Sequence, residues 1–306
     1  MYLPYLRARQ YELIALRELI EKNLIGDKII PIIEPIKLSP TLMKTLNAFV
    51  NKNRKIVVIH NPKVGNFLKE LSDNSKEVEF RNLLLNKNII VGHIINKKSD
   101  EELEKLKEYG FNTVLIINND INYLKIYTIA TKSFKPVLTL IPDESLFRRK
   151  VNGDKILLAD RFNKRDRNAD YIDLEDEVFT EDHLYYSNEG YKGFSDYSII
   201  GNNFSESGFA PYAVAIHIVY FDKDNYLRIR HFVSTSNDDI RNPAKKFYEA
   251  VTKLCGCKSI FNNESYALKE FKKYYNDGEY PGLGTVKKLS LMHHLEIMSR
   301  YLDGVK

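Results

Sequence analysis

Eight short runs of almost solidly apolar residues recur along the first two-thirds of the chain. They are residues 2–6 (YLPYL), 29–33 (IIPII), 55–59 (KIVVI), 88–95 (NIIVGHII), 113–117 (TVLII), 136–141 (PVLTLI), 155–159 (KILLA) and 197–200 (YSII). They do not alternate apolar with polar. A strand covered on both faces looks like this, and such strands are mostly parallel and need a crossover between them. The crossovers are visible as helical patterns. Tyr11, Ile14, Ala15, Ile20 and Leu24 make a stripe that Gly26 stops. Ser39 followed by Pro40 reads as an N-cap with a pre-organised first turn, and Leu42, Leu46, Phe49 and Val50 form the buried face. Further helical patterns cover about 77–86 and 121–131. Ser99 and Glu102 have capping-box spacing, with Leu103 and Leu106 inward and Gly110 as the stop. Eight such units in about 200 residues predict an α/β chain folded as a (β/α)₈ barrel. An open doubly wound sheet would usually carry a glycine-rich turn after its first strand, and RARQYE has none. With 306 residues the chain is near the size at which one core stops growing. A single barrel domain over 1–306 is expected.

Beyond the seventh run the pattern changes. Residues 161–195 are charged, lack a helical stripe and read as a long loop. The stretch from Asp196 to Ser234 reads as the eighth strand, a loop carrying Glu206 and Gly208, and then a β-hairpin insertion over 212–234. With Asp222, Lys223, Asp224 and Asn225 as the turn, Phe221 pairs with Tyr226, Val219 with Arg228, and His217 with Arg230. That register places His231 on an apolar face and puts His217, Arg228 and Arg230 on a basic one. Three helical patterns follow, near 243–254, 264–275 and 285–303. Thr285 is expected as the N-cap of the last. One should be the eighth barrel helix and the others extra C-terminal helices.

Barrels of this kind build their active sites at the carboxyl ends of the strands. The strand-end positions hold Arg7 and Arg9, Glu34, His60 and Asn61, Asn118 and Asp120, Asp143 and Glu144, Asp160 and Arg161, and Asn202 with Glu206, with His93 inside the fourth run. Two chemistries fit. Glu34, His60, Asp160 and His93 are donors suited to a divalent metal, which would polarise a phosphoryl oxygen or activate water. Alternatively, His60 acts as acid–base and Arg7 with Arg9 clamps an anion, with Asn61 and Asn202 orienting it. The two arginines could instead serve Glu12. Glu34, His60 and Asp160 are the expected reactive centre.

A net charge of +5 permits an anionic partner, but Lys and Arg are interleaved with Asp and Glu. Only 161–167 (RFNKRDR) and 269–273 (KEFKK) are local basic clusters. The acidic run 173–177 reads as a solvated loop. His231 reads as a core histidine, and His293 and His294, adjacent on a helix, cannot grip one metal together. Cys255 and Cys257 flank one glycine and cannot supply a four-ligand zinc site. No apolar run approaches the ~20 residues of a membrane span. A cytoplasmic protein with reduced thiols is expected.

The opening YLPYLRARQYELIALREL, the PIIEP and HNP tips and GFAPYAVAIHIVYF together resemble the phage beta-protein family and its bacterial relatives. The resemblance covers most of the chain and implies a role in phage defence or mobile elements by association. It implies no activity, and no catalytic residue carries over from it. The expected function is a barrel enzyme acting on a phosphate-bearing or other anionic substrate, in one form a metal-assisted phosphodiesterase or hydrolase. The alternatives are a non-catalytic module that binds nucleic acid or protein through the barrel mouth or the Arg228/Arg230 face, and a scaffold with a degenerate site.

Overall fold

A computed structural model describes residues 1–72, 77–111, 113–174, 176–205 and 211–305. It resolves two compact units. One comprises Met1–Leu13, Asp27–Asp160 and Asp182–Tyr197; the other comprises Ile14–Gly26, Arg161–Glu181 and Ser198–Lys306.

The first unit is the (β/α)₈ barrel. In chain order the strands are β1 (Tyr5–Leu6), β2 (Ile32–Ile33), β3 (Ile56–Ile59), β4 (Ile89–Ile94), β5 (Val114–Ile117), β6 (Leu138–Ile141), β7 (Lys155–Ala159), β8 (Asp176–Thr180), β9 (Gly193–Asp196), β10 (Ala215–Phe221) and β11 (Leu227–Val233). Strands β1 to β7 and then β9 pair in parallel in that order. A bridge between Tyr2 and Phe194 brings the last strand to the first, so the ring is nearly closed. Pro4 and Pro31 lack the N–H that a ladder needs, and this cuts the two first runs to two-residue strands. Leu3, Ile32, Val57, Ile90, Leu115, Leu140 and Ile156 alternate with outward residues and fill the interior.

Helices cover the strands where the sequence places them. Pro40–Asn51 starts at Ser39, whose Oγ accepts from Leu42 N at 3.1 Å. The capping box at Ser99 does not form. The helix begins at Ser99 itself, whose hydroxyl is taken by Asn96 N and His93. The eighth strand also differs from expectation. It is Gly193–Asp196, and Ser198–Ile200 is a 3₁₀ turn.

The second unit contains an antiparallel sheet in the order β10–β11–β8, together with the helices Pro243–Gly256, Tyr266–Asp277 and Leu283–Asp303. The hairpin insertion and the extra C-terminal helices are therefore present. Residues 161–195 are not one loop: they supply β8, β9, a 3₁₀ turn at Asn168–Tyr171 and a short helix at Asp182–Tyr185. Thr285 lies inside the last helix, which Gly282 precedes as N-cap. His293 bonds Ser265 Oγ and Val219 O, and His294 bonds Ser198 Oγ, so both adjacent histidines are structural. Among the described residues no helix is long and apolar enough to cross a membrane.

Candidate functional site

In the first unit, Glu34 directly follows β2 and is fully buried. A buried carboxylate must be paired and hydrogen-bonded, and this one is. Its Oε2 accepts from Tyr5 Oη at 2.7 Å and pairs with the Arg7 guanidinium, and its Oε1 accepts from Lys63 N at 2.7 Å. The guanidinium also lies 5.1 Å from the Tyr5 ring centroid and 5.6 Å from that of Tyr197. Burial pushes the Tyr197 phenol up to about 12; Arg7 opposes the rise and the Asp160 charge adds to it. Glu34, Arg7 and Asp160 are thus brought to one end of the barrel, joined through two tyrosines. Glu34 therefore holds the Arg7 guanidinium and is itself held by Tyr5 and the Lys63 backbone.

The other expected residues go elsewhere. His60 turns to His93: Nε2 meets His93 Nδ1 at 2.8 Å, and His93 Nε2 meets Ser99 Oγ at 2.8 Å. Burial lowers the His60 pKa to about 4, with the Arg81 charge adding, and burial lowers that of His93 as well. Asn61 spends its amide on the backbone of Ile94, donating to its O and accepting from its N, both at 2.8 Å. That pairing prolongs β4 and is not a ligand contact. Arg7 N and Arg9 N donate to Glu12 Oε2 at 2.9 and 3.3 Å, so this turn serves the start of the helix Gln10–Glu21. Asn202 is exposed and belongs to the second unit. Glu206 and Gly208 lie outside the described residues, as does Glu175 of the acidic run. Among the described residues, no three His, Cys, Asp or Glu side chains are grouped to hold a metal. Glu34, His60, His93 and Asp160 are therefore not one ligand set.

A different cluster appears in the second unit. The hairpin loop has five residues, 222–226, and Phe221 pairs with Leu227, Val219 with Ile229, and His217 with His231. Asp222 Oδ1 accepts from Asp224 N and Tyr226 N, both at 2.9 Å, and Asn225 takes a positive φ of 63°. This tight turn ending in a left-handed residue fixes the register. A one-residue slip exchanges the faces of one strand. His217 consequently shares a face with His231, not with Arg230.

His217 Nδ1 meets His231 Nδ1 at 2.7 Å, and His231 Nε2 meets Glu177 Oε1 at 3.3 Å. Glu177 comes from β8, opposite Ile229. The rings of Phe162 and Tyr171 stand edge-on to His217, with centroids 5.2 and 4.7 Å away. Burial lowers the His217 pKa to about 3, with the His231 and Lys287 charges adding to it. Burial also lowers that of His231, against the pull of Glu177. Both rings are neutral near pH 7.

The proton positions follow from this geometry. An ionised carboxylate only accepts, so His231 carries its hydrogen on Nε2 and presents a bare Nδ1. The hydrogen between the two rings must then sit on His217 Nδ1. His217 Nε2 is left as a lone pair, and it has no partner among the described residues. His217 lines a cavity of about 240 Å³ together with Lys164, Arg165, Asn168, Lys287, Ser290 and the aliphatic side chains of Ile199, Ile200, Leu283 and Val286. A neutral base backed by a second histidine and a carboxylate, beside three cations, can take a proton from an anionic ligand.

On the opposite face of the sheet, Arg228 and Arg230 both pair with Asp176, at 2.5 and 3.2 Å. The expected basic face thus shares one carboxylate from its β8 neighbour between two guanidinium groups. Compared with protein-family models, curated proteins and solved structures, the chain matches none.

Proposed function

We propose that the protein is an acid–base enzyme acting on a phosphate-bearing or otherwise anionic substrate, with His217 as its base. The observation that carries this reading is the Glu177–His231–His217 chain, which ends in a cavity lined by Lys164, Arg165 and Lys287. His231 and Glu177 are positioning residues: they set which nitrogen of His217 is free. A bound phosphate would offset the Lys287 charge that depresses the His217 pKa and so make the imidazole a stronger base. Catalysis by a positioned base contributes about 10²–10⁴-fold. The alternative of a non-catalytic binder using Arg228 and Arg230 has less support, because both guanidinium groups already contact Asp176. A phage-defence setting, which the family resemblance implies by association, is part of the same proposal.

A screen of small phosphate mono- and diesters, run beside His217→Gln and Lys287→Ala, tests the reading. Turnover is expected to fall at least about 100-fold in His217→Gln. In Lys287→Ala the KM should rise, with the effect shrinking at high salt. Equal turnover by His217→Gln and the wild type would overturn the assignment.

A further inference from the structure

Ser290 lines the same cavity as His217 and is only 2% exposed. Leu283, Val286 and Lys287 line it too, so one stripe of the helix Leu283–Asp303, spaced i, i+3, i+4 and i+7, faces the cavity and ends at Ser290. A serine or threonine inside a helix commonly spends its hydroxyl on the carbonyl one turn back. Thr45, Thr128, Thr131 and Thr252 all do so, and Ser299, the other serine of this helix, bonds Asp303. Ser290 bonds none of the described residues through its hydroxyl. A buried hydroxyl without a partner costs free energy, and this one opens onto a cavity. The helix and β10 run alongside each other in the same direction. His293 Nε2 donates to Val219 O at 2.7 Å, and further on Tyr301 stacks on Phe221 with ring centroids 4.8 Å apart. Ser290 lies one turn before His293, and His217 lies two residues before Val219. The same progression sets Ser290 beside His217. The Lys287 charge, which acts on the His217 ring, places the preceding turn of the helix there as well.

We propose that Ser290 is the nucleophile of this site and carries the phosphoryl group of a phosphate ester as a covalent phosphoserine. The proposal rests on the acid–base reading of His217. An activated serine needs a base within reach and a further group that orients the base. His217 is that base, and His231 with Glu177 orients it. In the first step Ser290 Oγ forms a bond to phosphorus and its proton passes to His217 Nε2. The bond from phosphorus to the ester oxygen breaks, and the leaving oxygen takes a proton from solvent. In the second step water attacks the phosphoserine and releases one proton to solvent. The bond from phosphorus to Oγ breaks, and Oγ recovers the proton held by His217. The ester and one water are converted to the alcohol and inorganic phosphate, with no change of oxidation state. Lys164 and Arg165 also line the cavity, and neither is paired with a carboxylate among the described residues. They offset the charge that gathers on the phosphoryl oxygens.

The test uses the full chain, an alkyl fluorophosphonate as a probe of the nucleophile, and 4-nitrophenyl phosphate as a substrate. The fluorophosphonate forms a bond from phosphorus to an activated serine and loses fluoride. The expected result is one adduct, mapped to Ser290 by peptide mass spectrometry, a readout on the wild-type protein that depends on no variant's folding. Ser290→Ala should stay unlabelled and should lower turnover of 4-nitrophenyl phosphate at least about 100-fold, with an unchanged circular dichroism spectrum. His217→Gln should slow labelling of Ser290 at least about 100-fold. A wild-type protein that leaves Ser290 unlabelled overturns the covalent assignment. So does a Ser290→Ala variant with wild-type turnover, and if His217→Gln is then inactive the acid–base reading still stands. Labelling of Ser290 at an equal rate in His217→Gln overturns the base assignment and leaves the nucleophile. Turnover unchanged in both variants overturns both.

Discussion

Replacing Arg7 by Ala is expected to cost the fold about 3–5 kcal/mol, the usual penalty for removing one partner of a buried ion pair. Glu34 has no exposed surface, and Tyr5 Oη and Lys63 N are its neutral partners. Without the guanidinium, a carboxylate sits in the barrel end with hydrogen bonds but no counter-charge. The two tyrosine rings also lose the planar cation beside them. Arg7→Ala with Glu34→Gln should recover part of the loss, because a neutral amide needs no counter-ion. Urea unfolding of the single and double variants measures this. A loss below about 1 kcal/mol in Arg7→Ala, or a double variant no better than the single, would show that Glu34 does not depend on Arg7.

Acid is expected to unfold the protein between about pH 6 and pH 4. Burial lowers the pKa of His60 and His293 to about 4 and that of His217 to about 3, and lowers those of His93 and His231. In the unfolded chain each titrates near 6.5. Between those values the unfolded state binds more protons, so stability is full above about pH 6.5 and falls as pH drops toward the folded pKa. A shift of 2.5 units corresponds to about 3 kcal/mol, so His60, His293 and His217 together reach on the order of 10 kcal/mol. That is comparable with the whole stability of a typical domain, about 5–15 kcal/mol. The hydrogen bonds fail for the same reason. His60 with His93, and His217 with His231, each share one proton between two neutral rings, and charging both rings would set two cations face to face. Circular dichroism between pH 7 and pH 3 follows the loss. An unchanged urea midpoint at pH 4 would contradict the neutral assignment of these rings.

The barrel was legible because its strands are covered on both faces, and such strands announce themselves as apolar runs. The one misplaced strand shows where that signal ends. Gly193–Asp196 reads GFSD and looks like a loop, yet all four residues are buried. Ser195 Oγ donates to Leu3 O at 2.6 Å, Asp196 accepts from Tyr2 Oη at 2.6 Å, and a Cβ at Gly193 would lie 2.5 Å from Met1 O. These contacts span almost 200 residues of sequence, so no local pattern reports them. Strand β8 hid in the same way: DEVFT looks solvated until Arg228, Arg230 and His231 supply partners for Asp176 and Glu177.

The strand-end rule located Glu34, Arg7 and Asp160 near one another but could not tell a committed carboxylate from a free one. Tyr5 and Lys63 N settle that, and neither carries a signal in the sequence. His217 and His231 were visible as residues. A four-residue turn assigned in place of a five-residue one set them on opposite faces. Asp222, with Asn225 followed by one further residue before the second strand, is the local cue to the longer turn.

On the proposed reading, His217 presents a bare Nε2 to a cavity that binds an anion. Nitrogen-15 NMR of the histidine rings at pH 7, with and without inorganic phosphate, tests it most directly. The expected result is a neutral His217 with its hydrogen on Nδ1, a His231 with its hydrogen on Nε2, and a shift of the His217 Nε2 resonance toward the protonated form when phosphate is added. A His217 that carries its hydrogen on Nε2, or that does not respond to phosphate, would contradict it.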